Sequence, residues 1–498
     1  MSKIKIGWSE VDITPKKGTK IGLAGQFFER ITDEVESPIT LTALAVDSGD
    51  DYFIICSCDL VGVGDNLNKI VKDRLGEDGT VNPSKVIISA IHTHTSYVYT
   101  RQSNITTLTG SFDYLKNAIP EDMAYKPLVS SEERMDPDVA LEFIANKIVE
   151  AVIAAWKNRK EGYYRNAFGR AAVGMCRRVC YDDGSALMWG DTNTANFTEL
   201  EGGNDNGIEL IFVYDKDKKL TGVVANIACP AQVVEHRSYI SSDYWGKVKE
   251  NLRKEYGKEI FLLGLCSAAG DQCPRDMVRW VEPESYIDDP NIKRETVIEH
   301  TADPSMFDVS GLKVVGRRIS SEIIAVHEEL NTEYLDEAKL IHETLDVVLP
   351  LRRVTKAEYK NALEMIDKFI EKNRGRTINF DDNAAMHVYS GIIARYELQK
   401  TVDVFPIEVH VIRFGDIAIA TNPFELFLDY GNQIRARSKA KQTFLIQLAC
   451  GSCGYLPTEK AEKGGHYSAY VSSGYTGHVG GELLVRETLD RINKKFND

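Results

Sequence analysis

The sequence predicts a mixed α/β fold in which layered mixed sheets are flanked by helices. Short apolar runs typical of strands recur through the first half, and segments with apolar residues at helical spacing lie between them. Several strand-like runs are apolar throughout rather than alternating, which indicates strands buried on both faces. With 43% hydrophobic and 27% charged residues, the 498-residue chain has the composition of an ordinary globular protein. Layers of sheets and helices are therefore the expected architecture.

The individual elements follow from these patterns in chain order. Strands are predicted at residues 41–46, 52–58, 86–90, 208–214 and 223–229. A helix is predicted to begin at Asp136-Pro137, which supply a cap and a first helical residue, and to end near Lys157. Further helices are predicted at residues 243–256, 310–330 and 357–372.

We predict a single domain over residues 1–498 with two distinctive segments. Residues 100–135 show no clear period and exceed the roughly 12–15 residues of an ordinary loop, so they are expected to be a lid over the site or a disordered insertion. Residues 335–405 are expected to form a helical layer.

The net charge of −14 comes from 60 basic and 74 acidic side chains. An acidic surface repels phosphate groups, which excludes nucleic acid and disfavours anionic lipid as a partner. No stretch reaches the about 18–20 apolar residues that span a bilayer, and no apolar run follows the first lysines. We therefore expect a cytoplasmic protein without membrane insertion, whose nine cysteines are reduced thiols. The expected partner is a small-molecule substrate, and homo-oligomer formation is left open.

Two histidines follow the predicted strand at residues 86–90. His92 and His94 are two residues apart, so on an extended chain both imidazoles point to the same side. Imidazole is the commonest metal ligand and an effective general acid or base near neutral pH. The spacing is therefore compatible with a metal-binding or catalytic pair at a strand end, and two structural histidines are an equally weighted alternative.

Three short segments in the same chain order resemble neutral ceramidases. Residues 89–96 (Ser-Ala-Ile-His-Thr-His-Thr-Ser) resemble the family's histidine segment, residues 7–15 (Gly-Trp-Ser-Glu-Val-Asp-Ile-Thr-Pro) resemble its opening segment, and residues 56–59 (Cys-Ser-Cys-Asp) resemble one of its strand ends. The resemblance covers about residues 5–490. It implies the fold of the family's catalytic domain without the C-terminal immunoglobulin-like module, one zinc ion, and attack of water on an amide.

The resemblance implies roles for side chains from several segments of the chain. His92, Glu425 and Tyr455 match zinc ligands of the family. His94 matches a neighbour that contacts the polar group of the substrate, and Tyr467 matches a substrate-facing tyrosine. The predicted site therefore draws on segments that lie far apart in the sequence.

Two of the matched residues have alternative explanations. Asn422 and Pro423 resemble a helix cap and a first helical residue, which would make Glu425 part of a capping box rather than a ligand. Arg177 resembles an arginine that faces the substrate, and its guanidinium would suit a carboxylate or another anionic group. A surface charge on a strand edge is the alternative for Arg177.

The chain also departs from the family's pattern. Pro230 stands where the family has its second zinc histidine, so His236 is expected to replace that ligand, with Cys229 as the alternative. Cys273 stands where the family has a serine near the scissile bond, and it is expected to line the substrate site rather than to act as a nucleophile. The resemblance also implies that the turn at residues 22–26 forms a wall of the substrate pocket, so Gln26 is expected to contact substrate.

These observations predict a zinc-dependent hydrolase that cleaves an amide bond in a small polar substrate rather than in ceramide. Two other functions stay open. A ligand-binding homologue without catalysis would explain the missing second histidine. A sugar-active hydrolase or lyase on the same metal scaffold would use aromatic side chains that stack on sugars, for which the candidates are Trp189, Tyr239, Tyr244 and Tyr475.

Overall fold

The computed structural model describes residues 3–26, 29–100, 118–124, 134–278 and 308–497. In chain order its strands are β1 (Lys5–Asp12), β2 (Ile21–Gly22), β3 (Ile31–Thr32), β4 (Thr40–Asp47), β5 (Tyr52–Cys58), β6 (Val86–Ala90), β7 (Lys160–Arg170), β8 (Met175–Cys176), β9 (Arg178–Tyr181), β10 (Ala186–Met188), β11 (Phe197–Leu200), β12 (Gly207–Asp215), β13 (Leu220–Ile227), β14 (Phe261–Cys266), β15 (Gln272–Cys273), β16 (Leu340–Pro350), β17 (Val404–Phe414), β18 (Ile417–Thr421), β19 (Glu425–Leu426), β20 (Gln442–Ile446) and β21 (Tyr455–Leu456). Its α-helices are α1 (Asp65–Asp78), α2 (Pro137–Lys157), α3 (Tyr244–Tyr256), α4 (Val309–Glu329), α5 (Lys356–Lys372), α6 (Phe380–Leu398), α7 (Leu428–Arg437), α8 (Glu459–Gly464) and α9 (His478–Lys495).

The larger sheet has the strand order β14-β13-β12-β7-β1-β4-β5-β6. The pairs at its two edges, β13–β14 and β5–β6, are parallel, and the pairs between them are antiparallel. Strands β4, β5 and β6 are buried along almost their whole length. Their continuous apolar runs are therefore those of strands covered on both faces, as predicted.

A second sheet, in the order β16-β17-β18-β20, packs against one face of the larger sheet. Ile55 and Ile211 of the larger sheet share one core with Phe414 and Phe444 of the smaller sheet. Helices α1 to α4 cover the other face of the larger sheet, and α7 and α9 cover the outer face of the smaller one. The described chain therefore forms four layers, helices, sheet, sheet and helices, which confirms the predicted mixed α/β class.

Several predicted elements are confirmed at their bounds. Strands β5 and β6 begin and end where the apolar runs begin and end. Helix α2 begins at Pro137, because the Asp136 side chain accepts a hydrogen bond from the Asp138 N–H and proline needs no N–H partner in the first turn. Helix ends of this kind depend on neighbouring residues alone, which is why the sequence predicts them.

Residues 335–405 include helices α5 and α6 but also strand β16, which departs from the predicted helical layer. The strand pairs with β17 along its whole length, from Leu340 opposite Phe414 to Pro350 opposite Val404. A partner strand more than fifty residues away therefore decides its conformation. The predicted lid at residues 100–135 falls mostly on residues 101–117 and 125–133, which lie outside the described residues.

The helices that cover the sheets are amphipathic. Helix α4 buries Leu312, Val315, Ile319 and Ile323, which recur at helical spacing, and it turns its charged residues outward. Within the described ranges, no helix has both the length and the apolar composition needed to cross a bilayer.

Candidate active site

The candidate site lies where several chain segments leave the carboxyl ends of strands. The two predicted histidines follow β6, and the other segments follow β13, β14, β18 and β20. Hydrogen bonds join these segments: the Ala231 N–H donates to Ile91 O (3.2 Å), and the Glu425 N–H donates to Gly454 O (2.9 Å). Carboxyl ends of strands are the common location of ligand sites in α/β sheets.

His92 has a backbone conformation that few side chains adopt. Its φ is +70°, in the left-handed region where a non-glycine residue costs about 1–2 kcal/mol. The ring Nδ1 lies 2.5 Å from Val61 O, and because a carbonyl oxygen only accepts, Nδ1 carries the proton. In the neutral ring, the lone pair of His92 is therefore on Nε2.

His94 is oriented by a buried amide. Arg177 Nη1 donates to Gln232 Oε1 (3.0 Å), which turns the Gln232 amide nitrogen toward His94 Nε2 (3.1 Å). An amide nitrogen only donates, so His94 Nε2 accepts and the proton of the neutral ring is on Nδ1. Burial lowers the pKa of His94 well below its ordinary value, despite the charge of Glu235. His94 is therefore a neutral imidazole at neutral pH.

Glu235 lies between His94 and the predicted ligand His236. Its two oxygens lie 3.3 Å from His94 Nδ1 and 3.3 Å from His236 Nε2. Burial would raise the pKa of Glu235, but the hydrogen bond and charge of His236, followed by His94 and Arg177, lower it to about 2. Gln232 and Glu235 are therefore the side chains that contact the two ring nitrogens of His94. His236, with a side chain that is 41% exposed, reaches the site through Glu235, which does not favour the predicted ligand role.

At the centre of the site, a ring nitrogen of one histidine contacts a ring nitrogen of the other and a carboxylate oxygen, and no ring hydrogen lies between them. The Nε2 atoms of His92 and His94 lie 3.3 Å apart, and Glu425 Oε2 lies 3.5 Å from His92 Nε2. Because both ring protons are on Nδ1, His92 Nε2 faces two other electron-rich atoms, His94 Nε2 and Glu425 Oε2. Such an arrangement is favourable when a cation, either a proton or a metal ion, lies among them.

Glu425 and Tyr455 are neighbours because the short strands β19 and β21 pair in parallel, with these two residues opposite each other. The capping-box alternative for Glu425 is wrong. Asn422 accepts a hydrogen bond from the Phe424 N–H (3.1 Å), but Glu425 is in a strand and the next helix begins at Leu428. Pairing with a distant strand therefore replaces the local helix start.

Two tyrosines complete this side of the site. The rings of Tyr455 and Tyr467 meet edge to face, with centroids 5.4 Å apart. Burial and the charge of Glu425 raise the pKa of Tyr455 well above its ordinary value, and burial raises the pKa of Tyr467 to about 12. Without a metal ion both hydroxyls are therefore protonated at neutral pH and able to donate hydrogen bonds.

The donor set fits a zinc ion by type. His92 Nε2, Glu425 Oε2 and the Tyr455 hydroxyl are nitrogen and oxygen donors, and catalytic zinc commonly has three protein ligands. The structure places Glu425 beside both His92 and Tyr455, while their role as ligands stays a prediction. Among the described residues, a set of histidine, cysteine and carboxylate ligand atoms that are all close together occurs at Glu408, His410 and Cys450 instead. The site at His92 therefore needs Tyr455 as its third ligand.

Arg177 is 2% exposed, which excludes the surface-charge alternative. It donates to Gln232 Oε1 and to Gly270 O (3.0 Å each), and Nη2 lies 3.5 Å from the Tyr455 hydroxyl. Its Nε is buried and has no hydrogen-bond partner among the described residues. The Trp189 ring centre lies 5.6 Å from the guanidinium carbon. A buried guanidinium with one N–H left over suits an acceptor on a ligand.

Comparison with solved structures gives matches over nearly the whole chain. The neutral ceramidase of Pseudomonas aeruginosa aligns with a TM-score of 0.66 and 14% sequence identity, over 99% of this chain and 75% of that one. A ceramidase described as complexed with C2 aligns with a TM-score of 0.66 and 13% identity, over 99% of this chain and 76% of that one. The chain has a ceramidase-like fold. No family model and no curated protein matches its sequence.

Cys273 and Gln26 are the remaining residues for which the sequence predicts a role in the site of this ceramidase-like fold. Cys273 Sγ donates to Arg275 O (3.3 Å), and burial raises the pKa of the thiol to about 12, so it is not an activated nucleophile. Gln26 is half-buried and follows Gly25, where an added Cβ would lie 2.4 Å from His94 Cγ. The turn before Gln26 therefore packs against His94, while a contact of Gln26 with substrate stays a prediction.

Sequence reasoning missed Gln232, Glu235 and Arg30. Arg30 is 1% exposed and donates to four backbone carbonyls, among them His94 O (2.6 Å) and Glu235 O (2.7 Å). Gln232 and Glu235 flank two valines, and polar residues in such an apolar run are a usable signal of a buried polar site. No local pattern marks Arg30, because its acceptors come from three separate segments of the ceramidase-like fold.

Proposed function

We propose that the chain is a zinc-dependent hydrolase that cleaves an amide bond in a small polar substrate rather than in ceramide. The observation that carries the proposal is that His92 Nε2, at the carboxyl end of a strand, lies 3.3 Å from His94 Nε2 and 3.5 Å from Glu425 Oε2. The shared fold with neutral ceramidases supports it. His92, Glu425 and Tyr455 would hold the ion. When bound there, zinc supplies a Lewis acid for amide hydrolysis.

The side chains of the site would orient the substrate and protonate its leaving group. Amide hydrolysis forms a bond from a water oxygen to the carbonyl carbon and breaks the bond from that carbon to nitrogen, which then needs a proton. The Tyr467 hydroxyl, protonated at neutral pH, can supply that proton, and the proton that the attacking water gives up restores the hydroxyl. The one lone pair of His94 Nε2 accepts from the Gln232 amide, and a substrate N–H or O–H that binds His94 would take the place of that donor.

The preference for a small polar substrate rests on Arg177. A guanidinium that is fully buried beside Tyr455, with Nε available, would bind a carboxylate or another anionic group near the scissile bond. A substrate group of that charge is absent from ceramide. N-acyl amino acids, which carry a carboxylate next to the amide, have the required chemistry.

The test combines zinc content with hydrolysis by the purified full chain. Wild-type protein should cleave short N-acyl amino acids faster than ceramide and lose activity with a chelator. His92→Ala and Glu425→Gln should each remove about one zinc per chain and lower kcat/KM on the order of 10²–10³-fold or more. His478→Gln, at the start of α9, is the matched histidine control. Hydrolysis that is unchanged by chelator and by His92→Ala would contradict the proposal, and faster cleavage of ceramide would contradict its polar-substrate part.

A sugar-active hydrolase is the second candidate, favoured by Trp189. Of the four aromatic residues weighed for stacking on sugars, Trp189 packs against a site residue, because its ring lies over Arg177. Tyr244 instead donates from within the core to Cys229 O (2.7 Å). A screen of sugar conjugates beside the N-acyl amides separates the two functions. Binding of either class without cleavage or bound zinc would indicate the non-catalytic homologue.

A further inference from the structure

A second group of metal-ligating side chains lies between the two sheets, apart from the residues of the candidate active site. It consists of Glu408 and His410 on β17 and Cys450 after β20, which we call the sheet cluster. His410 Nε2 lies 2.7 Å from Glu408 Oε1 and 3.6 Å from Cys450 Sγ, and one ligand atom from each residue lies within 4.8 Å of the others. Glu408 and His410 share a face of the strand because they are two residues apart.

The orientation of the His410 ring follows from its neighbours on β5 and β16. His342 Nδ1 lies 3.0 Å from Tyr52 O and must donate, so Nε2 of the neutral His342 ring accepts from His410 Nδ1 (2.8 Å). Thr344 Oγ1, which donates to Ser84 O, accepts from the same nitrogen (3.1 Å). His410 therefore carries its proton on Nδ1 and directs the lone pair of Nε2 into the cluster.

This arrangement is that of a metal-ligating histidine. Such histidines commonly donate their other ring N–H to a neighbouring acceptor, which fixes the tautomer and the ring plane. Here the acceptors are His342 and Thr344. Nε2 of the fully buried His410 side chain then faces a carboxylate oxygen and a sulfur, two further electron donors, and at 2.7 Å from Glu408 Oε1 it shares a proton with the carboxylate when no metal is bound. Three converging donors need a cation among them to be favourable.

A positive charge already lies at the cluster. It is the ammonium of Lys72 on helix α1, which contacts the same Glu408 oxygen as His410. Lys72 has a long flexible stem and a side chain that is 16% exposed, so it can turn toward solvent. A divalent ion and the ammonium would compete for one carboxylate oxygen. Lys85 is the other cation nearby, and it is held by Asp51 (2.7 Å).

We propose that the sheet cluster is a second metal site, for zinc or a similar thiophilic divalent ion, and that Lys72 competes with the ion for Glu408. Nitrogen, oxygen and sulfur donors select zinc over calcium or magnesium, which prefer oxygen alone. On binding, the Cys450 thiol releases its proton to solvent and its sulfur bonds to the ion, while Lys72 leaves with its charge. No oxidation state changes.

A metal ion there would stabilise the loop that carries Tyr455. The Cys450 N–H donates to Ile88 O (2.9 Å), and Asn68 of α1 donates to Cys450 O (3.0 Å). Four residues on, Gly454 O accepts from the Glu425 N–H. The site is thus structural in kind, and it does not depend on the proposed hydrolase activity.

Cobalt(II) titration of the metal-free full chain tests the site, since thiolate ligation gives a near-ultraviolet charge-transfer band that imidazole and carboxylate do not give. Wild type and His92→Ala should both show the band, because the proposed ligands at His92 include no thiol. Cys450→Ser and His410→Asn should lose it. Cys453→Ser, a buried cysteine three residues away, is the matched control and should keep it. A missing band in wild type, or a band that persists in Cys450→Ser, would overturn the proposal.

The competition with Lys72 gives a test that does not depend on disrupting the core. Lys72→Met should tighten cobalt binding at least about tenfold, because the competing charge is gone. Lys69→Met is the matched control on the same helix, since Lys69 is exposed and pairs with Asp73. Equal or weaker binding in Lys72→Met than in Lys69→Met would show that Lys72 does not compete for the site.

Discussion

Two histidine pairs in this molecule have similar ring contacts but are held in different ways. The site pair, His92 and His94, has ring centroids 4.9 Å apart, and the sheet pair, His342 and His410, has them 5.1 Å apart. The sheet pair lies on β16 and β17, which pair in regular register. The site pair lies on a loop, and His92 has a positive φ. Regular strands position rings by register alone, whereas the loop needs specific partners for each ring.

Holding the site pair in place lowers the stability of the fold, because it requires charged and polar groups to be buried around His94. The buried cations Arg30 and Arg177 hold the backbone and the neighbours of His94. Several buried polar atoms around it have no aligned hydrogen bond among the described residues, including His94 Nδ1, Ser96 Oγ and Arg177 Nε. Each such atom costs about 1–3 kcal/mol. Strain and unmet polar groups of this kind are typical of functional sites, whereas the sheet pair lies on regular strands without a positive φ.

The largest expected effect is at Arg178, which supports the backbone of Tyr467 on the tyrosine side of the candidate site. Its guanidinium binds Glu201 through two hydrogen bonds (2.6 and 3.0 Å) with both side chains buried, and it also donates to Tyr467 O (3.0 Å). Arg178→Met should lower the free energy of unfolding by about 3–5 kcal/mol, because it leaves a buried carboxylate unpaired. Chemical denaturation measures it. Arg353→Met, which removes the partner of the exposed Asp403, should change stability far less; equal losses would contradict the role of Arg178.

A smaller effect is expected at Gln232, which links Arg177 to His94. Gln232→Leu should cost about 1.5–3 kcal/mol in unfolding free energy, because a charged guanidinium loses its acceptor and His94 loses its donor. It should also raise KM for anionic substrates as Arg177 loses its orientation. Thermal unfolding and steady-state kinetics measure the two effects. A stable variant with unchanged kinetics would show that the link is not needed.

Gly25 tests how closely the turn packs against His94. Gly25→Ala and Gly18→Ala both place a side chain at positive φ, +94° and +83°, at a cost of about 1–2 kcal/mol each. Only Gly25→Ala also forces a Cβ to within 2.4 Å of the His94 ring, whereas no described atom lies within 4 Å of the Cβ at Gly18. Hydrolysis should therefore fall in the Gly25 variant alone. Similar activity in the two variants would argue against His94 as a substrate contact.

The smallest expected effect is a pH dependence at His94. Burial lowers its pKa in the folded chain, whereas the unfolded chain binds a proton at His94 below its ordinary pKa of about 6.5. The unfolded state therefore gains protons as pH falls, and wild type should lose about 1 kcal/mol relative to His94→Gln between pH 7 and 5.5. Denaturation of both proteins across this range measures the difference. A constant difference would mean that His94 titrates normally.

The sequence predicts much of the secondary structure and part of the site. Strand β5 and the start of α2 depend on contiguous residues, so their patterns are local and readable. The resemblance to neutral ceramidases assigns His92 and Glu425 to one site, and the structure places them 3.5 Å apart. Strand β16 was predicted within a helical layer because its conformation depends on pairing with β17.

By itself, then, the sequence determined the layered α/β class, the acidic charge and the histidine step at a strand end. Only the tertiary structure decided that Gln232 and Glu235 lie beside His94, and that Cys450 meets His410. The physical reason is that the spacing of apolar and capping residues within a short stretch specifies each helix or strand. Which side chains converge depends on strand order and register across the whole sheet, and no contiguous stretch of sequence contains that information.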